Sequence, residues 1–386
     1  MKKTGLWLLS LVFVLGVVLA GCGGGSSGSS SQGGSGSTGS SGSGGSGGSG
    51  GSASKQTIKI TIGAEQAADA KTEIRLLRDF FVPEVNKRLE NTNYKIDWNE
   101  AYGGTIAKVG EALGALKSGL LDMSYVINAF EPANLKVNNI AFSVPFQSPD
   151  AVLATNVFAQ LHQQHPAFVE EYERNGVMVL STPTPTGSYE LITTFPVNSL
   201  EDLKGRKVAA AGPNSPWIQA VGVVPVQSSL AEAYQSIQTG VYDGWVMYSS
   251  GVVGYKLYEV AKYYTLVGFG NSMQGALAVN KDVWSKLPQE VQDVIREVAA
   301  EYPLKVAEAT NAENDTFIQT MKDNGVTVTE LPQAEKEKWN QAVSNIPQDY
   351  ANRLNNEGLP GSEIIQLYID LLKQAGHQFP VEYKIN

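Results

Sequence analysis

A short pattern that occurs twice constrains the fold of this chain more than any other feature. Residues 111–123 read EALGALKSGLLDM, and residues 232–247 read EAYQSIQTGVYDGWVM. Each copy runs from Glu-Ala to a Ser-Gly or Thr-Gly pair and then an aspartate, which predicts a short helix, a glycine stop at Gly119 or Gly240, and a strand. Two copies so far apart indicate two α/β lobes with a cleft between them. Chance similarity between two helix-to-strand turns is the alternative.

The rest of the chain alternates segments with strand and helix patterns. This alternation, with helices dominating the last quarter, predicts an α/β protein. The predicted strands are 57–63, 94–98, 123–127, 176–180, 189–194, 205–211 and 275–279. The predicted helices are 72–90, 158–174 and a long helical stretch over 291–322.

The first 54 residues have the composition of a targeting segment and a linker. Lys2 and Lys3 precede an apolar run over 6–18 that ends in Leu-Ala-Gly-Cys at Cys22. This ending resembles the lipobox of bacterial lipoproteins, so we predict a signal peptide over 1–22 and acylation of Cys22. An uncleaved membrane anchor is the alternative, but the run is short for a span. The Gly/Ser tract over 23–54 predicts a disordered linker before a folded module over 55–386.

The charge balance and the residue inventory exclude several classes of function. With 29 Lys+Arg against 38 Asp+Glu the net charge is −9, which argues against a nucleic-acid partner. His162 and His165 lie one helical turn apart, but a solvated helix face explains them better than a metal site. Nucleotide-binding and serine-hydrolase motifs do not occur in a suitable context. We therefore predict no metal, no cofactor and no enzymatic activity.

Six further stretches of the chain belong together: LKSG at 116–119, VPF at 144–146, DLKGRKV at 202–208, YQSIQTGVYDG at 234–244, YEVAKY at 258–263 and WSKLP at 284–288. In combination they resemble the solute-binding proteins of tripartite ATP-independent periplasmic (TRAP) transporters. The resemblance covers most of 55–386 and implies a two-lobe, periplasmic-binding-protein-like fold with mixed sheets, long C-terminal helices and a ligand in the cleft between the lobes. It implies lobe I over about 55–183 plus 272–300, and lobe II over about 184–271 plus the C-terminal helices.

Four polar residues typical of that family are replaced in this chain. The arginine that pairs with the carboxylate of an organic acid falls at Ala209, and a second arginine falls at Tyr189. A usual asparagine falls at Met247, and a usual histidine falls at Phe269. Burying a carboxylate without its arginine should cost several kcal/mol, so the usual organic-acid ligand does not transfer directly from the resemblance. Replacement of the arginine by Arg75, Arg78 or Lys108 stays open.

Aromatic residues crowd the same region and predict an aromatic box. A flat aromatic or apolar ligand could stack there, or a cation could lie over the rings with Glu65 or Glu190 as its counter-charge. Ordinary core packing of the aromatic residues is the alternative. The predicted ligand-binding residues are Glu65, Tyr102, Asn128, Phe130, Tyr189, Pro213, Asn214, Trp217, Trp245, Met247, Tyr248 and Phe269.

The resemblance implies a lipid-anchored, extracytoplasmic binding component of a TRAP-type uptake system. We expect it to lie in the periplasm or on the outer face of the cytoplasmic membrane, to capture a small ligand and to deliver it to the membrane permease subunits. A tethered subunit that presents its ligand to a signalling receptor is the alternative.

Overall fold

Two six-stranded sheets organise the part of the chain that the computed structural model describes, residues 54–386. In chain order the strands are β1 (Gln56–Ala64), β2 (Tyr94–Ala101), β3 (Met123–Ile127), β4 (Val177–Val179), β5 (Thr184–Ser188), β6 (Glu190–Thr193), β7 (Lys207–Ala210), β8 (Val224–Gln227), β9 (Gly244–Met247), β10 (Tyr263–Leu266), β11 (Asn271–Asn280) and β12 (Thr327–Glu330). The predicted signal peptide and acylation site, and all but the last residue of the predicted linker, lie outside the described residues.

Thirteen α-helices accompany these strands in residues 54–386. They are α1 (Thr72–Leu76), α2 (Val82–Arg88), α3 (Ala112–Ser118), α4 (Ala151–Gln164), α5 (Ala167–Arg174), α6 (Ser215–Gln219), α7 (Leu230–Gln238), α8 (Ser249–Gly254), α9 (Lys281–Lys286), α10 (Gln289–Asp323), α11 (Gln333–Ala342), α12 (Ile346–Asn356) and α13 (Gly361–Gln374). Among these helices, none is long and apolar enough to cross a bilayer.

Both sheets mix parallel and antiparallel pairs, which confirms the predicted fold class. The first sheet has the order β2-β1-β3-β11-β4, with β5 paired to β11. In it β1 is parallel to β2 and β3, while β11 is antiparallel to its neighbours. The second sheet has the order β12-β10-β6-β9-β7-β8. In it β7 is parallel to β8 and β9, and β6 is antiparallel to β9 and β10.

The chain passes between the two sheets at short connections. β5 belongs to the first sheet and β6, which starts two residues later, to the second; β10 lies in the second sheet and β11 in the first. The long helix α10 then contacts β5 and β12, one strand of each sheet. Helices α12 and α13 pack mainly on α4 and on the segment 137–143, while Trp339 of α11 donates a hydrogen bond to the carbonyl of Trp217 at 2.7 Å.

Two of the predicted helices differ in the structure. The helix predicted over 158–174 is two helices, α4 and α5, which are interrupted at His165 and Pro166. Proline disfavours helical backbone at the residue before it, and His165 is extended with φ −133° and ψ 117°. The helix predicted over 72–90 is also not uniform, because the π-helical turn Leu77–Phe81 separates α1 from α2.

Candidate ligand-binding cleft

A pocket of about 740 Å³ lies between segments that follow strands of both sheets. Its walls come from residues 109–110 and 129–142 beside the first sheet, from 211–216 and 227–229 beside the second, and from 346–357 in and around α12. The segments 129–142, 211–216 and 227–229 follow the carboxyl ends of β3, β7 and β8. Ligands of α/β proteins characteristically bind outside the carboxyl ends of parallel strands. We call this space the outer pocket.

A smaller cavity of about 10 Å³ adjoins the outer pocket and shares Phe130, Ala211 and Ser228 with it. A volume of this size holds about one water molecule or one small end group of a ligand. Every residue that lines this inner cavity is uncharged. The remaining lining residues are Tyr189, Leu230, Trp245, Val246, Met247, Tyr248 and Gln274.

Five of the predicted binding residues come together at the inner cavity: Phe130, Tyr189, Trp245, Met247 and Tyr248. The rings of Tyr189 and Tyr248 meet edge to face, with centroids 5.1 Å apart and an interplanar angle of 84°. Met247 and Trp245 lie on β9, in the second copy of the repeated pattern. Most of these side chains are fully buried, and four of the ten residues that line the cavity are aromatic.

Two other predicted aromatic residues, Trp217 and Phe269, line neither cavity and lie in a stack of rings. Trp217 is 6.1 Å from Phe142 and 5.1 Å from Phe269, measured between ring centroids, and Phe269 is 5.0 Å from Trp339. The indole Nε1 of Trp217 donates a 2.8 Å hydrogen bond to the carbonyl of Phe142. This stack joins the segment 137–143 to α6 and α11, so its evident role is packing.

Asn128 and Asn214 are fully buried but line neither cavity. The Oδ1 of Asn128 accepts from the Tyr172 hydroxyl at 2.5 Å, and its Nδ2 donates to the Asn138 carbonyl at 3.4 Å. The Oδ1 of Asn214 accepts from the backbone N–H of Ala211 at 3.0 Å, and its Nδ2 has no partner among the described residues. Both amides therefore organise the backbone around the cleft.

Pro213 and Tyr102 occupy different positions relative to the cleft. Pro213, next to Asn214, lines the outer pocket. Tyr102 lines neither cavity; its ring packs on the main core, and burial raises the pKa of its hydroxyl above the ordinary value.

The two carboxylates proposed as counter-charges are engaged elsewhere. Oε1 of Glu65 accepts from the backbone N–H groups of Gly110, Glu111 and Ala112 at 2.8, 3.1 and 3.1 Å. Glu190 accepts from the Ser188 hydroxyl at 2.7 Å and, through Oε2, from two backbone N–H groups. Burial raises the pKa of each carboxyl to about 7. Neither glutamate lines the inner cavity.

The three residues considered as substitutes for the missing arginine also lie outside both cavities. Arg75 pairs with Glu313 at 2.6 Å, and Arg78 pairs with Asp69 and Asp79 at 2.7 and 2.6 Å. Lys108 is exposed and lines neither cavity.

A buried cation behind the inner cavity has no signature in the sequence. The side chain of Lys71 has no solvent exposure, and its Nζ lies 2.8 Å from Oε1 of Glu73. The same Nζ donates to Oε1 of Gln274 at 2.6 Å and lies 5.1 Å from the centroid of the Tyr248 ring. A lysine two residues before a glutamate at a helix start is ordinarily solvated, so only the tertiary structure reveals this pair.

The outer pocket carries charged groups of both signs. Lys136 forms an ion pair with Glu357, and the guanidinium of Arg353 lies 4.2 Å from the centroid of the Tyr350 ring. Asp349 also lines this wall. The rim of the pocket is therefore mixed in charge rather than a cationic site for a free anion.

Comparison with known proteins places the chain among bacterial binding proteins. The family described as "Bacterial extracellular solute-binding protein, family 7" matches residues 78–353. A C4-dicarboxylate-binding periplasmic protein of Rhodobacter capsulatus is 30% identical over 187 residues, and this match covers 47% of the present chain and 52% of the relative. The match thus spans about half the length of that relative.

Solved structures show the same fold at lower identity. A TRAP solute-binding protein from Rhodoferax ferrireducens, in complex with copurified benzoate, has a TM-score of 0.72 at 15% identity and covers 83% of this chain and 98% of its own. An extracytoplasmic solute receptor of Bordetella pertussis that binds pyroglutamic acid has a TM-score of 0.70 at 21% identity, covering 82% and 99%. The resemblance seen in the sequence is confirmed: the chain belongs to family 7 of the bacterial extracellular solute-binding proteins.

Proposed function

We propose that this chain is the extracytoplasmic solute-binding component of a TRAP-type uptake system. Its ligand occupies the outer pocket, with one end at the inner cavity. The observation that carries the proposal is the position of the pocket, which takes its walls from segments beside both sheets and adjoins an uncharged cavity with four aromatic lining residues. Because the relatives named above are solute-binding proteins, they give the signalling alternative no support.

The ligand class that the site favours is a flat aromatic or apolar molecule. Phe130, Phe142 and Tyr350 line the outer pocket, where the body of the ligand lies, and aromatic contacts add to the free energy gained by burying apolar area. A ligand cation is less favourable, because Lys71 already lies over the Tyr248 ring. A simple organic acid is also disfavoured, because Ala209 stands where the family has its arginine.

The mechanism follows from the two-sided construction of the pocket. A ligand that contacts Phe130 on one side and Ala211 or Ser228 on the other stabilises the closed arrangement over the open one. The permease subunits then recognise the closed form. The hydrogen bond from Trp217 to the Phe142 carbonyl lies behind the pocket and helps to hold its two sides in register.

We also propose that the mature protein is anchored through acylated Cys22 and lies in the periplasm or on the outer face of the cytoplasmic membrane. The support is the sequence Leu-Ala-Gly-Cys after a positively charged start and an apolar run. The linker over 23–54 and the two-lobe division predicted from the sequence belong to the same proposal.

Mass spectrometry of the small molecules released from the detergent-purified, denatured chain tests the proposed function. We expect an aromatic or apolar compound, and calorimetric titration should show that the chain binds it. Phe130→Ala should weaken that binding by about tenfold or more, because Phe130 lines both cavities. Phe80→Ala is the matched control, since Phe80 is half-buried but lines neither cavity. Failure of the chain to retain or bind any small molecule would overturn the proposal.

A further inference from the structure

Gln274 lines the inner cavity, and hydrogen bonds from Lys71 and Tyr248 fix the orientation of its amide. Oε1 of Gln274 accepts from the ammonium of Lys71 at 2.6 Å and from the hydroxyl of Tyr248 at 3.4 Å. An ammonium group can only donate hydrogen bonds, so the amide cannot rotate to place its NH₂ group against Lys71. The amide nitrogen of Gln274 is therefore directed away from Lys71.

The nitrogen of this amide is available to a ligand. Within the described residues, Nε2 of Gln274 makes no hydrogen bond, and it is not one of the fully enclosed polar atoms that lack a partner. Gln274 itself lines the inner cavity. Because this N–H is not enclosed by protein and has no protein acceptor, it can donate to an acceptor atom of a ligand.

The charge of Lys71 does not make the cavity cationic. Glu73 pairs with it at 2.8 Å, and the side chains of both residues are at most 1% exposed. The pair is neutral as a whole, and the residues that line the inner cavity carry no charge. A ligand carboxylate placed there would be an uncompensated buried anion, whereas an uncharged acceptor would not.

We propose that Gln274 is a specificity-determining residue that donates from Nε2 to an uncharged acceptor, such as a carbonyl oxygen, at the buried end of the ligand. This inference rests on the proposed function and narrows its substrate class to neutral molecules with a flat apolar body and a terminal acceptor. The inner cavity of about 10 Å³ suits one end group of that size. Lys71 and Tyr248 act through Gln274 as positioning residues.

Calorimetric titration of the detergent-purified full chain with two probes of the same shape tests this inference. Benzamide presents a neutral carbonyl on an aromatic ring, and benzoate presents a carboxylate on the same ring. We expect benzamide to bind about tenfold or more tightly than benzoate. Gln274→Met, which keeps the size of the side chain but removes the donor, should weaken benzamide binding by about tenfold or more. It should leave the weak binding of benzoate nearly unchanged.

Two further measurements separate a binding effect from a folding effect. Gln163→Met makes the same substitution on an exposed face of α4 and should leave the affinity for both probes unchanged. Thermal unfolding of Gln274→Met without ligand shows whether the fold persists. If the fold is lost, Gln274→Glu is the second variant, since it keeps the shape of the amide and can still accept from Lys71, and it should weaken benzamide binding.

The outcomes also distinguish this inference from the proposed function. Tighter binding of benzoate than of benzamide, unchanged benzamide affinity in a folded Gln274 variant, or no benzamide binding at millimolar concentration would overturn the inference. The proposed function would survive each of these results if the chain still released a bound small molecule. A chain that retains no small molecule and binds neither probe would overturn both.

Discussion

The two copies of the repeated pattern share a scaffold. In the first copy α3 ends at Gly119 with φ 74° and β3 follows; in the second, the turn after α7 contains Gly240 with φ 73° and β9 follows. The two aspartates make equivalent hydrogen bonds in the two copies. Oδ2 of Asp122 accepts from the backbone N–H of Thr61 at 2.7 Å, and Oδ2 of Asp243 accepts from that of Lys207 at 3.1 Å. Each aspartate thereby joins its own strand to the neighbouring parallel strand.

The copies differ at the start of the helix and at the end of the strand. The residues just before each helix line the outer pocket, but Glu65 accepts from the backbone N–H of Gly110 in the first copy, whereas Ser228 and Ser229 stand there in the second. β3 leads into Asn128, whose amide is engaged in hydrogen bonds on its own side of the cleft, and β9 ends at Met247, which lines the inner cavity. In the first copy the residue after the strand is engaged in internal hydrogen bonds, and Phe130, three residues beyond the strand, reaches the inner cavity; in the second copy the strand itself lines that cavity.

The largest loss of stability is expected at Gly244, in the second copy, where the structure leaves no room for a side chain. Gly244 of β9 corresponds to Met123 of β3, and a Cβ atom at Gly244 would lie 2.4 Å from the carbonyl oxygen of Ile192. Gly244→Ala should therefore lower the free energy of unfolding by about 3 kcal/mol or more, because the neighbouring strand β6 must move. Denaturant titration monitored by tryptophan fluorescence measures this loss.

The same substitution in the first copy is the matched control. Gly114 lies on the exposed face of α3, and a Cβ atom added there would have no other atom within 4 Å. Gly114→Ala should raise the free energy of unfolding by about 0.5–1 kcal/mol, because alanine favours helix more than glycine does. A loss of similar size in both variants would contradict the proposed difference between the copies.

Glu65, which accepts from the backbone at the start of α3, should make the stability of the fold sensitive to pH. Its pKa is raised from 4.5 to about 7 by burial, despite three backbone hydrogen bonds that act in the opposite direction. Below pH 4.5 the carboxyl is protonated in both the folded and the unfolded chain. Between pH 4.5 and about 7 the folded chain holds the proton more tightly, so its stability falls as pH rises and levels off above pH 7. The total contribution is at most about 3 kcal/mol.

Glu65→Gln should remove this contribution, and denaturant titrations between pH 4 and pH 8 should show a flatter pH dependence than in the parent chain. Glu190 also has a pKa of about 7 through burial, so Glu190→Gln is the matched variant in the connection between the sheets. It should flatten the profile by a similar amount. An unchanged pH profile in Glu65→Gln would show that folding does not shift the pKa of this carboxyl from its ordinary value.

Much of the fold could be predicted because its signals are local. Helix-stopping glycines and alternating apolar residues indicate α3, α7 and the strands that follow them without reference to the rest of the chain. The short strands β5 and β8 are absent from the sequence prediction because each has few residues and contains a proline, Pro185 or Pro225. The break between α4 and α5 could have been predicted from Pro166.

The candidate site was only partly predictable, because an aromatic residue has the same sequence pattern whether it faces a cleft or a core. The sequence predicts both Trp245 and Trp217 in the pocket, yet only Trp245 reaches a cavity, while Trp217 packs between Phe142 and Phe269. Lys71 shows the converse case. Its buried ammonium donates to Gln274, 203 positions away in the chain, and no local pattern encodes that contact.

The smallest loss of stability is expected from removing the aspartate hydrogen bond that the two copies share. Asp122→Ala and Asp243→Ala each remove the acceptor of one backbone N–H at the edge of a parallel strand pair. Both aspartates are half-buried, so each substitution should lower the free energy of unfolding by about 1 kcal/mol. The two sites lie in different sheets and share no partner, so the loss of stability in the double variant should equal the sum of the two single losses to within about 0.5 kcal/mol.

Asp→Asn at either site retains an acceptor oxygen and should lower the free energy of unfolding by less than Asp→Ala does. A difference of more than about 1 kcal/mol between the two alanine variants would mean that the copies do not share this hydrogen bond in energetic terms, and that the similarity of their scaffolds is limited to geometry.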